Sequence, residues 1–268
     1  MNKFYIQIVL FLLSIFVYGN NEILAIEPAP EENTTPKSKS RYPTSEEIYE
    51  KNKHLLCKCS TQARNAAKLM NEAVKHLEYH ATDIGNYESC KAGPNVREFL
   101  YKKKHKDHTV IEKIQYTISD SNKYNEIINK LWNSGTPNTF DKGSVKIVHM
   151  YNPNLLIIQQ RYEKDSKGHQ KYFYALATKA EVSKDKTIIA MTSLGIKDGR
   201  TSFRREYENP IIENVSSFYA YITPEDDIKN GELEKVLVNL AGYFIEKKGD
   251  NIEVTYIESV SDIQILIL

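Results

Sequence analysis

Between residues 155 and 192 the chain alternates apolar runs of strand length with hydrophilic turns, and this stretch narrows the folds open to it. Leu155, Leu156, Ile157 and Ile158 run into Gln159, Gln160 and Arg161. A charged turn from Glu163 to Gly168 follows, then Tyr172, Phe173, Tyr174, Ala175, Leu176 and Ala177. After a second polar segment come Thr187, Ile188, Ile189, Ala190, Met191 and Thr192. Aliphatic and aromatic runs bounded by Gly, Ser and Asp predict successive antiparallel strands of one large sheet. Each run is apolar on both parities, so both faces of the sheet are expected to be covered. A helix is expected on one face, and something other than water on the other.

The flanking segments supply that helix. Thr44, Ser45, Glu46 and Glu47 form a capping-box pattern, and one long helix is expected from there to between Asp83 and Gly85. Its stripe is Ala63, Ala66, Ala67, Met70, Ala73, Val74 and Leu77, small enough for close packing on a sheet. His76 and His80 stand four apart on it, but Glu78 is not where a zinc protease places its base, so two solvated or partly packed histidines are expected. Strands are expected at 96–101 and 109–118, with Lys102, Lys103, Lys104, His105, Lys106 and His108 as a solvated hairpin tip. A short helix at 124–132 presents Ile127, Ile128, Leu131 and Trp132 on one face. Strands follow at 145–150 and 217–222, with a turn at Pro224 to Asp227 between the latter and residue 236. Residues 236–245 suit a helix by one spacing and a strand by another. Gly249 and Asn251 then turn the chain into a last strand at 252–257.

At the start, Lys3 precedes an apolar run from Phe4 to Val17, followed by Gly19, Asn20 and Asn21. That is the pattern of a secretory signal, ending near residue 25. Residues 26–44 hold Pro28, Pro30, Pro36 and Pro43 with almost no large apolar side chain and are expected to be a disordered leader. One domain is expected over 45–268. The formal charge is +1, which gives no electrostatic reason to bind nucleic acid. Of Cys57, Cys59 and Cys90, a bridge from Cys90 to one of the other two is the expected pairing, because a Cys-x-Cys bridge is strained. No metal site and no cofactor is expected: the Gly-x-Ser-x-Gly, Walker and dinucleotide motifs are all missing from the sequence. His149 is the strand histidine nominated for proton transfer if the chain is an enzyme, although no catalysis is expected.

The order helix, strands, short helix ending at Trp132, then strands to Val254 resembles the helix-grip fold of START-type lipid-transfer domains. More closely, the chain resembles the fam-a proteins of rodent malaria parasites (Plasmodium). The likeness lies in the leader Met1 to Val9, in Tyr151, Asn152, Pro153, Asn154 and Leu155 running to Arg161 and Tyr162, and in Gln170 to Ala177. It continues in Thr187 to Ser193 and in Gly242, Tyr243, Phe244, Ile245, Glu246, Lys247 and Lys248.

The resemblance implies an α+β, START-like curved antiparallel sheet with a long N-terminal helix and a C-terminal lid helix; this chain departs from it there, and the lid helix is expected to be truncated or replaced by 263–268. It implies a secreted protein, exported to the host erythrocyte (parasitophorous vacuole or host cytoplasm), that binds and moves phospholipid. Phosphatidylcholine is the leading lipid, with transient membrane contact and no chemistry. A host-interacting or antigenic module that has lost transfer is the alternative. Arg161 matches an arginine that would hold the phosphate, and an ion pair at the sheet rim is its plainer role. Trp132 matches the tryptophan that closes the short helix, while Tyr172 and Tyr174 would meet choline or pack in the sheet. Gln159 completes the candidate set. Two further departures stand out: Asn133 replaces the aspartate that often follows the tryptophan, and Glu22 replaces the arginine of the export pentamer, so export must rest on another signal or fail.

Overall fold

The computed structural model describes residues 42–90, 99–106, 109–133, 143–197, 208–213, 215 and 218–262. The expected signal, nearly all of the leader, the turn after Trp132 and the apolar end 263–268 lie outside them. The described elements are α1 (Ser45–Lys51), α2 (Ser60–Thr82), β1 (Glu88–Cys90), β2 (Phe99–Lys104), β3 (Val110–Ser119) and α3 (Tyr124–Trp132). They continue with β4 (Ser144–Asn152), β5 (Leu155–Arg161), β6 (Lys171–Ser183), β7 (Lys186–Ser193) and β8 (Gly195–Lys197). The last are β9 (Tyr219–Tyr221), α4 (Asp226–Lys229), β10 (Glu234–Lys248) and β11 (Asn251–Asp262).

The capping box forms: Thr44 Oγ1 accepts from the Glu47 N–H at 3.2 Å, and the Glu47 carboxylate accepts from the Thr44 N–H at 2.8 Å. The helix it opens is not the long one expected. α1 stops at Asn52, and a single 3-10 turn follows. The chain then runs extended because the Cys57 N–H donates to the Met150 carbonyl at 2.7 Å, tying it to the sheet edge. Helix formation resumes at Ser60. Cys57 and Cys59 carry free thiols; the side chain of Cys90, the third member of the expected pairing, lies outside the described residues.

Among the described residues nine strands form one curved sheet in the order β1-β2-β3-β11-β10-β7-β6-β5-β4. Its pairings are antiparallel except where Glu234 and Lys235 of β10 lie parallel to Lys171 and Tyr172 of β6. The long helix α2 is gripped against one face in this α+β helix-grip arrangement. Ala66, Leu69, Met70, Ala73, Leu77 and Ala81 of α2 pack with Leu176, Ile188, Ala190, Leu240, Phe244 and Ile257. The opposite face is not left for a ligand. Ile48 of α1 and Tyr124, Ile128 and Trp132 of α3 pack there with Ile158, Phe173, Ile189, Tyr243, Ile245 and Val254. The covering other than water is therefore largely the chain's own side chains.

Residues 236–245 are strand, and a β-bulge explains their double periodicity. The register shifts between Val238 and Leu240, so Val236 and Val238 share the α3 face with Tyr243 and Ile245, while Leu240 and Phe244 face α2. Asn239, the extra residue, is fully buried. It donates to Ser259 Oγ at 3.1 Å and Ser261 Oγ at 2.9 Å, and its carbonyl accepts from Thr192 Oγ1 at 2.9 Å. Three other expectations are corrected. Lys102, Lys103 and Lys104 lie inside β2, because Lys103 reaches back to Asp83 at 3.0 Å. The strand expected at 217–222 is three residues long and, among the described residues, pairs with β8. His80 is 2% exposed and bonded to the Tyr87 hydroxyl at 3.0 Å, not solvated.

Close approach of α2 to the sheet depends on Gly242. Its φ is +146°, and a Cβ there would lie 1.9 Å from the Ile189 carbonyl oxygen and 2.8 Å from Leu77 Cδ1. Gly242→Ala is predicted to lower stability by about 2–4 kcal/mol in urea unfolding, because backbone rather than a flexible side chain must give way. A second prediction concerns acid. Burial first, then the nearby Lys103, holds His80 down at about 4. A depressed histidine contributes stability that is present above its ordinary 6.5 and lost as pH falls toward 4. The loss between neutral pH and pH ~4.5 should be about 2–3 kcal/mol, and His80→Gln should flatten that part of the stability profile while lowering its level at pH ~7.

Candidate functional site

Strand parity brings four of the five sequence-predicted residues together. Gln159 is paired with Tyr174 and Arg161 with Tyr172 across β5 and β6, all pointing to the α2 face. Trp132 belongs to the core of the opposite face, with its indole N–H unpartnered, so the five do not form one site. Tyr172 and Tyr174 are buried edge to face, with ring centroids 5.9 Å apart. The Gln159 amide donates to the Tyr174 hydroxyl at 3.0 Å, and Gln159 is buried.

Next to this pair is a cleft of about 230 Å³. Ile147, Val148, Gln159 and Tyr174 form its sheet wall, and Tyr221, Ile222, Thr223 and Glu225 form the facing wall. A larger hollow of about 510 Å³ lies on the other side of β4, between that strand and α1. The two hollows share Leu55, Lys146 and Ile147. They therefore flank one edge of the sheet, where β4 ends the strand order.

Lys146 and Glu225 of the cleft lining belong to a cluster of charges of both signs. Arg161 is paired with Asp227, Nη2 to Oδ1 at 2.9 Å, and also with Glu225. Lys146 Nζ donates to Glu225 Oε1 at 3.0 Å. The bonds from Lys146 and then Arg161 hold the Glu225 carboxyl below its ordinary range. Asp227 is lowered chiefly by Arg161, and Arg161 is raised chiefly by Asp227. Two cations thus meet two carboxylates in a cluster that is neutral overall. Sequence reasoning gave Arg161 but missed Lys146, Glu225 and Asp227. Residues 224–227 carry only a turn signal, and nothing local says that they fold back over β5.

His149 is half-buried with its ring 5.0 Å from that of Tyr151, and burial lowers its pKa. Its Nε2 and the Tyr151 hydroxyl have no hydrogen-bond partner. Among the described residues no three His, Cys, Asp or Glu side chains are grouped to hold a metal, and no helix is long and apolar enough to cross a membrane.

No protein-family model matches the chain, and no curated protein matches it by sequence. Solved structures are similar to it in fold alone. Human STARD10 is 10% identical, covering 72% of this chain and 68% of its own, with a TM-score of 0.46. Human StAR-related lipid transfer protein 5 is 10% identical, covering 75% and 83%, with a TM-score of 0.49. The lipid transfer and protein localization domain of human StarD13 is 14% identical, covering 72% and 84%, with a TM-score of 0.43.

The Gln159–Tyr174 bond gives a direct check of the wall. Tyr174→Phe leaves a buried amide donor without its acceptor and should cost about 1–3 kcal/mol in chemical denaturation. Adding Gln159→Leu should recover part of that loss, since removing both partners costs less than stranding one.

Proposed function

We propose that this chain is a non-catalytic phospholipid-binding and transfer protein of the fam-a kind, secreted and exported to the host erythrocyte, with phosphatidylcholine its leading lipid. The observation that carries the reading is the cleft beside β5 and β6. Its lining mixes Leu55, Ile147, Val148 and Ile222 with polar groups, and beside it stand an ammonium and a guanidinium, each paired with carboxylates that a phosphodiester would displace, on the face that holds Gln159, Arg161, Tyr172 and Tyr174. Small-molecule sites combine an apolar body with a few convergent polar groups in this way, in volumes of roughly 300–1,000 Å³. At about 230 Å³ the cleft is smaller than that. Lipid uptake therefore requires the facing wall to move. Tyr172 and Tyr174 are assigned to the wall of the opened site rather than to a ready-made choline cage. Trp132, on the other face, is assigned to packing.

A second reading has its own support. The sheet faces are filled largely by protein, which favours a host-facing interaction module that keeps the fold without carrying lipid.

Native mass spectrometry of the purified protein separates the two. A co-purifying phospholipid, with vesicle-to-vesicle transfer that falls about tenfold or more in Arg161→Ala, is expected from the loss of a charge-assisted bidentate contact. Protein that is lipid-free and inactive in transfer supports the second reading. Transfer undiminished in Arg161→Ala removes Arg161 from the headgroup site.

A further inference from the structure

The facing wall contains the short helix α4. From Glu225 to Glu232 its backbone bonds close on the segment itself: Lys229 N–H to the Glu225 carbonyl, Asn230 N–H to Asp226, Gly231 N–H to Ile228 and Glu232 N–H to Asp227, at 2.8–3.1 Å. Where β9 ends, Tyr221 is 75% exposed. Before β10 begins, Gly231 has φ +76° with open space around it. The segment is tied to the sheet by the side chains of Ile222 and Ile228 and by the charge cluster: Arg161 with Asp227 and Glu225, and Lys146 with Glu225.

We propose that residues 221–231 form a cover latched over the cleft, and that Asp227 and Glu225 make a headgroup phosphate the condition for opening it. This rests on the lipid-binding reading and adds to it the residues that select the ligand. A phosphodiester presents two oxygens to a guanidinium much as a carboxylate does. It can take the place of Asp227 on Arg161 while Lys146 keeps Glu225, and Asp227 is released to solvent. A lipid with the same acyl chains and an uncharged head supplies no replacement. Opening the cover for it strands a half-buried guanidinium. The carboxylates thus act as an internal competitor that neutral lipids do not displace.

The test measures uptake from vesicles of two fluorescent probes with identical acyl chains, a phosphatidylcholine and a diacylglycerol. The wild-type protein should prefer phosphatidylcholine by about tenfold or more, as expected when one ligand satisfies a charged partner and the other leaves it unpaired. Glu225→Gln with Asp227→Asn should speed phosphatidylcholine uptake about tenfold, as the latch no longer competes. Arg161→Gln should bring the two probes within about twofold of each other. Salt adds a readout that needs no variant. Raising it from about 0.05 to 0.5 M should accelerate wild-type uptake by weakening the latch, with little effect on the double variant. Equal phosphatidylcholine rates in the wild type and the double variant, or a preference undiminished in Arg161→Gln, overturn the latch while leaving lipid binding intact. Failure of every protein, the wild type included, to take up either probe overturns the lipid reading itself.

Discussion

The sheet can grip its helix because one strand position under α2 has no side chain. Gly242 lets Leu77 and the neighbouring backbone approach β10 closely, and the small residues Ala66, Ala73 and Ala81 keep α2 low along its length. With both faces dry, backbone groups in the centre of the sheet find partners only in one another. The architecture therefore resists opening there. Any space for a guest has to come from the margin, at β4, where packing against helix gives way to a loop and a charge cluster.

The sheet was largely legible in the sequence because a strand buried on both faces leaves a continuous apolar run, as 155–158 and 187–192 do. The stripe on α2 was legible for a similar reason. The break before it was not. Residues 52–59 contain no proline or glycine, and the helix stops there because Cys57 finds a partner on β4, a contact far away in sequence. The bulge at Asn239 hid the identity of β10. An inserted residue changes which parity faces the core, and a single-period reading of 236–245 then fits neither helix nor strand.

The candidate site was legible only in half. Alternation along β5 and β6 put Gln159, Arg161, Tyr172 and Tyr174 on one face. It could not say that Trp132, on a helix with its own apolar face, would pack against the other. Nor could it supply Glu225 and Asp227. Carboxylates in a turn look alike whether they face water or fold back on an arginine, and only tertiary contact tells them apart. The result is a cluster in which each charge is held by its opposite, so the mouth of the cleft presents little net field while keeping strong directional donors in reserve.

Strand order has one further consequence, for the life of the chain on the ribosome. β3 is finished long before β11 exists, yet Ile118 takes Ile252 and Tyr116 takes Val254 as neighbours. Until the last hairpin emerges, the strands β1 to β3 have an open rim of unpaired amides and carbonyls and an unburied oily side. Closure of the sheet is thus a late, non-local event, slow by the measure of contact order. During that interval a nascent molecule is most open to mispairing with another copy of itself or to capture by a chaperone.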